Sequence, residues 1–229
     1  MLVLCMATMT AASDNQVTVN TGVDFYNRYV WRGLDIANTP SVQPSLSVGY
    51  AGLELGTWGA YTLSNESSDC DEIDFWLSYT LPLQNGVSFS LIATDYYFPN
   101  AGMDLFDFDD NGDGAHTVEL GLAFTGPESF PIGLSGFMNV YNDGGNNTYF
   151  QLDYPFTVGE TEMGLFCGAA GGSADNPDYY GTENFNAINV GISASREIKV
   201  SETFSLPLNM ALIINPREEI SHLVVGMSF

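Results

Sequence analysis

The chain has 229 residues, with 28 Asp and Glu against five Lys and Arg, so its formal net charge is −23, which excludes nucleic-acid binding through a basic surface. Only 14% of residues are charged while 45% are apolar and 24 are Gly, a balance that fits neither a disordered chain nor an ordinary water-facing globule. No apolar run reaches the roughly 18 residues of a membrane-spanning helix.

Residues 1–12, MLVLCMATMTAA, read as a secretory signal peptide cut near Ala12 or Ser13, and the missing basic segment points to a start further upstream. No Pro/Ser-rich linker divides the remainder of the chain, so residues 13–229 are expected to form one domain. Cys70 in an acidic stretch and Cys167 in an alternating one are expected to be free thiols.

From Val17 the odd positions Val17, Val19, Val23 and Phe25 are apolar, and the even ones Thr18, Asn20, Gly22 and Asp24 are polar or small. Alternation with period two marks a strand with one apolar face. It recurs near residues 42–50, 53–63, 73–81, 87–93, 118–124, 132–140, 150–156, 163–169, 188–194, 204–214 and 223–229, which predicts twelve strands. The connections alternate too. Short turns fall at Ala51-Gly52, 83–86, 126–130, 157–160 and 197–202, and the intervening loops include 29–40, 64–72, 99–114 and 171–184. Two more on that side, near Asp143-Gly144-Gly145 and Pro216-Arg217, are shorter.

An even number of roughly ten-residue strands, with tight turns at one end and mostly longer loops at the other, predicts an all-β, antiparallel, up-and-down transmembrane barrel. The alternative is a soluble sandwich, which would bury its apolar face against a second sheet and turn charged residues to water. Here the second face is mainly Gly, Ser, Thr and Asn with isolated carboxylates. That composition suits a crowded, wet lumen. Aromatic residues at strand ends, Tyr26, Tyr29, Trp31, Tyr96 to Phe98 and Tyr179-Tyr180, are expected to form the interface girdles.

The segment from Tyr26 to Tyr61 contains Tyr29-Val30-Trp31-Arg32-Gly33, Pro40-Ser41-Val42-Gln43 and Gly56-Thr57-Trp58, with Asp95-Tyr96-Tyr97 and His116 to Glu119 further on. In these residues the chain resembles a family of conserved hypothetical outer-membrane barrels of Gram-negative bacteria, classed as porins. The ending Leu223 to Phe229 also resembles the C-terminal signal of outer-membrane proteins, with Met227 where an aromatic residue is more usual. The resemblance implies location in the bacterial outer membrane, contact with lipid and lipopolysaccharide, and recognition of Phe229 by the assembly machinery.

By parity Asp24, Asp74, Glu119 and Asp153 point inward, in the half of their strands nearer the long loops, and Arg28 and Arg32 are the basic residues closest to them. Two readings stand: a polar constriction that selects solutes by charge, or a paired network that braces a closed barrel. Asp109, Asn111, Asp113 and Gly114 resemble the start of a calcium loop. The closing Glu is missing, because the twelfth position is Leu120 counted from Asp109 and Val118 counted from Asp107. A solvated acidic loop is favoured, and no cofactor is expected. His116, with lipid-face parity, and His222 have no partners at a recognisable catalytic spacing, so the protein is not expected to be an enzyme. The expected function is a porin passing small polar solutes with a preference for cations. A closed structural or surface-interaction barrel and a barrel hydrolase are the alternatives.

Overall fold

The computed structural model describes residues 16–110, 114–177 and 179–229. The signal peptide expected over residues 1–12 lies outside the described residues, as do Asn111 and Asp113. Twelve antiparallel strands close into a barrel, each beside its neighbour in sequence, and a separate two-stranded hairpin sits within the first long loop. In chain order the elements are β1 (Thr18–Tyr26), the hairpin strands β2 (Tyr29–Trp31) and β3 (Leu34–Ala37), β4 (Ser41–Tyr50), β5 (Leu53–Thr62), β6 (Glu72–Pro82) and β7 (Ser88–Tyr97). They continue as β8 (His116–Thr125), β9 (Gly133–Tyr141), β10 (Thr148–Val158), β11 (Thr161–Gly171), β12 (Phe185–Lys199), β13 (Ser205–Asn215) and β14 (Ile220–Ser228). All twelve sequence-predicted segments become wall strands.

The two faces divide as the alternation requires. Leu46, Val48, Leu55, Leu77, Leu91, Leu122, Leu152 and Leu212 stand exposed on the outside, while Ser47, Ser78, Ser90, Asn139, Asn189 and Asn209 are buried inside. Closure rests on a short seam. β1 pairs with β4 over nine residues but with β14 over only three, Asp24 to Tyr26. Phe229 extends it through two backbone hydrogen bonds with Val23, of 2.9 and 3.0 Å. Beyond Tyr26, the Asn27 side chain bonds the Val225 amide and the Leu223 carbonyl at 2.8 and 3.1 Å.

The hairpin is the principal departure from the sequence reading, which has a plain loop over 29–40. It folds into the lumen. Tyr29, Trp31 and Ala37 pack with inward residues of the wall, Ala60, Tyr96, Tyr149, Ala170 and Ile188, and with Tyr180 from the loop before β12. Val30 packs with Tyr26, Phe166, Ala211, Ile213 and Val224.

This corrects the expected aromatic girdle. Tyr26, Tyr29, Trp31, Tyr96 and Tyr180 are buried in the interior, because the inserted hairpin carries Tyr29 and Trp31 inward, sets the Trp31 ring against Tyr96 and Tyr180, and packs Val30 with Tyr26. The outward tyrosines are instead Tyr50, Tyr61, Tyr79 and Tyr154. Ile188, placed by parity on the outer face, is also buried. A bulge between Gly168 and Ala169 in the β11–β12 pairing skips it out of register and turns it to the hairpin.

Candidate functional site

The tip of the hairpin is Arg32-Gly33. Both residues have positive φ, 48° and 82°, and a Cβ on Gly33 would overlap the Ile188 carbonyl, so glycine is required both for the turn and for the close approach to β12. Asn215 Nδ2, on the adjacent strand β13, donates to the Gly33 carbonyl at 3.3 Å.

This geometry drives Arg32 into the centre of the lumen. Its two terminal nitrogens donate to Glu119 on β8 at 2.5 and 2.8 Å, a bidentate pair, and Nη1 also donates to the Tyr180 hydroxyl. The guanidinium lies 4.5 to 4.6 Å from the ring centroids of Trp31, Phe137 and Tyr149. Tyr96 adds a 2.8 Å bond to the same carboxylate. The Arg32 and Glu119 side chains are 6% and 2% exposed, so the clamp is buried within the barrel.

Arg28 holds the neck of the hairpin. It bonds Asp35 at 3.0 Å, Asn38 at 2.6 Å and His222 Nδ1 at 2.9 Å. Of the two predicted arginines, Arg32 therefore meets a predicted carboxylate, and Arg28 is taken by Asp35 of the hairpin, which sequence reasoning did not single out.

The other predicted carboxylates occupy separate places. Asp24 faces inward at the seam, in register with Gln43 and Ser228. Asp153 bonds Gln151 at 2.9 and 3.1 Å. It lies lower than expected, at the midpoint of β10 and in register with Gly133, the first residue of β9.

Asp74 is buried, as is Glu72 two residues before it on the same inner face of β6. The Tyr29 hydroxyl donates to Glu72 Oε2 at 2.6 Å. Glu72 reads in sequence as part of an acidic loop, yet it shares the parity of Asp74 two residues later. That spacing was the signal available for it. Glu54 was also missed; it accepts a bond from Trp76 Nε1 at 3.1 Å inside the short-turn half of the lumen.

At the long-loop rim, His116 pairs with Tyr97 in register, on the outer parity, but is covered. Its Nδ1 meets Asp95 at 3.0 Å and its Nε2 meets the Leu105 carbonyl at 2.7 Å, between the rings of Tyr97 and Phe108. Both nitrogens face oxygen acceptors, which spends the ring's hydrogen bonds on holding the loop.

Asp109 donates its amide to Asp107 at 3.2 Å, and Asp110 accepts from the Asn142 amide at 2.8 Å. Among the described residues no group of three or more His, Cys, Asp and Glu is placed to hold a metal ion. The loop at 142–147 is organised by Asp143, which accepts from Asn139, Asn176 and the Asn147 amide, each at 2.8 Å. Burial alone would raise this carboxyl, but the bonds from Asn176, Asn139 and Asn147 outweigh it and hold it below its usual range. Cys70 goes the other way: burial, then Asp69, Asp71 and Glu72, push its thiol up, which makes it a poor nucleophile.

Residues 9–205 match the family described as "Bacterial protein of unknown function (Gcw_chp)". The chain belongs to this Gcw_chp family. Its description carries no activity, so membership gives kinship without a job. No curated protein matches the chain. Among solved structures, Salmonella typhi OmpF in complex with daunomycin aligns over 94% of this chain and 97% of its own, at 8% identity and a TM-score of 0.41.

Proposed function

We propose that this Gcw_chp member is an outer-membrane barrel that forms a narrow passage for small polar solutes, admits cations ahead of anions, and is closed in this conformation by its own hairpin. The observation that carries the reading is the inside-out division of the wall. Leu, Val, Ile and Phe side chains stand exposed around the outside of a lumen lined by Ser, Asn and carboxylates. An exposed apolar belt of this size has no second layer to cover it, and a bilayer supplies one.

The cation preference follows from sign. Asp24, Glu72, Asp74, Glu119 and Asp153 face the lumen against Arg28 and Arg32. A low-dielectric wall concentrates counter-ions of that negative field.

A second reading, a permanently plugged structural barrel, is favoured by the burial of Tyr29, Arg32, Glu119, Tyr149 and Tyr180 across the lumen. Planar-bilayer recording separates the two. Wild type is expected to give small, cation-preferring conductance steps. Arg32→Met, which frees the hairpin and leaves Glu119 uncompensated, should enlarge the steps and strengthen the preference, while Asp24→Asn with Asp153→Asn should weaken it. A folded barrel that stays silent with the hairpin replaced by a short Gly/Ser link overturns the passage, and anion-preferring reversal potentials overturn the selectivity.

A further inference from the structure

We infer that Glu72, Asp74 and Tyr29 form a binding site for a divalent, oxygen-seeking cation of the calcium and magnesium class, seated in the lumen beside the hairpin; the inference rests on the passage reading and names one of its cation sites. Glu72 and Asp74 are 3% and 5% exposed. They are two residues apart on one strand, so the pleat sets both carboxyl groups on the same inner face.

No ion pair among the described residues engages them. Ion pairs among the described residues join Arg28 and His222 to Asp35, Arg32 to Glu119, His116 to Asp95, Arg196 to Glu160 and Arg217 to Glu218. None reaches Glu72 or Asp74.

The second observation is an orphan. Asp74 Oδ1 is buried with no hydrogen-bond partner, while Glu72 Oε2 is already bonded by Tyr29. A buried carboxylate oxygen without a donor is costly, and an ion is one of the few things that satisfies it. Two carboxylates and a phenol oxygen match the donor set by which a hard divalent cation is held when it keeps part of its water shell. Trp58 stands opposite Asp74 in register, with its ring 5.5 Å from that of Tyr29, and walls the site on one side. The acidic loop at Asp107 to Asp110 is separate, tied through Asp110 to Asn142 on the far side of β8.

The test is Mn²⁺ binding, read by electron paramagnetic resonance as loss of the free-ion signal, on barrel folded in detergent in the presence of Mn²⁺. One ion should bind per folded chain and be displaced by excess Ca²⁺. Asp74→Asn and Glu72→Gln should each weaken binding by more than about tenfold, since losing a ligand exceeds the loss of an outer-shell partner. Asp107→Asn with Asp109→Asn should leave it unchanged, and gel mobility before and after heating reports that each variant has folded.

Absence of Mn²⁺ binding, or binding that survives Asp74→Asn, overturns the site and leaves the two acids sharing a proton. If the variants do not fold, wild type decides alone: the bound ion must broaden the Trp58 and Tyr29 resonances, and resonances broadened only at the loop overturn the site. Binding is measured without current, so the two ideas fail separately. A channel without cation preference that still binds Mn²⁺ sinks the function, and a cation-selective channel without Asp74-dependent binding sinks the site.

Discussion

Arg32 ties the hairpin to the wall through Glu119. Its bidentate bond to Glu119 lies where water is excluded, so the pair's net stabilisation is small while the cost of breaking one side is large. Arg32→Met should destabilise the barrel by about 3 to 5 kcal/mol, and Arg32→Met with Glu119→Leu should recover most of it. Thermal unfolding in detergent, followed by gel mobility, checks both. Equal losses in the single and double variants would place the energy in packing against Trp31, Phe137 and Tyr149 instead.

Asp143 supplies the pH dependence. Its folded carboxyl is held below the ordinary value of about 3.9, so the stability it lends is complete above that value and is lost as pH falls through the lower folded value. Amide exchange should show the loop at 142–147 and Asn176 protected near neutral pH and released first under acid. Asp143→Asn should remove that step, and an acid response unchanged by the substitution would assign it to another group.

Among the elements, the β1–β14 seam is the weakest link, with three register pairs where most neighbours have eight or more. Phe229 supplies two of its backbone bonds and rests its ring against Phe25 at 6.3 Å. Deleting Phe229 should lower the yield of closed, heat-modifiable barrel in detergent. The same deletion tests the resemblance to an assembly signal: normal closure in detergent with failed insertion in cells would separate recognition from seam stability.

The hairpin shows why an element can escape a pattern-based reading. β2 and β3 have three and four residues, too few to display a period, and its tip needs only Arg32-Gly33. The 99–114 loop is tied at long range, with Asp110 meeting the Asn142 amide across 32 positions of chain, and the incomplete calcium spacing there gave no ligand set.

Across the whole molecule, the outward apolar belt decides where the protein can exist. Leu77 lies at the middle of β6 and is 48% exposed. Leu77→Arg should cost about 2 to 4 kcal/mol in a bilayer, measured as a shift in the urea midpoint for folding into vesicles. A soluble sheet protein would tolerate an exposed arginine there, so an unchanged midpoint would turn that face away from lipid. The wild-type barrel should require detergent or lipid and run faster unheated than boiled.

Strand number, strand parity and the alternation of short turns with longer loops are all local properties, and the sequence by itself determined them: a period of two with Val, Leu and Phe on one side sets which residues share the apolar face. The inward placement of Asp24, Asp74, Glu119 and Asp153 followed from the same parity. Only the tertiary structure decided what those side chains meet. Arg32 finds Glu119 across 87 positions of chain, Tyr29 finds Glu72 across 43, and Ile188 changes face at a bulge that hairpin docking accommodates. Pairings across the lumen depend on where the hairpin inserts, and that is set by the packing of rings from six different segments, which no local period encodes.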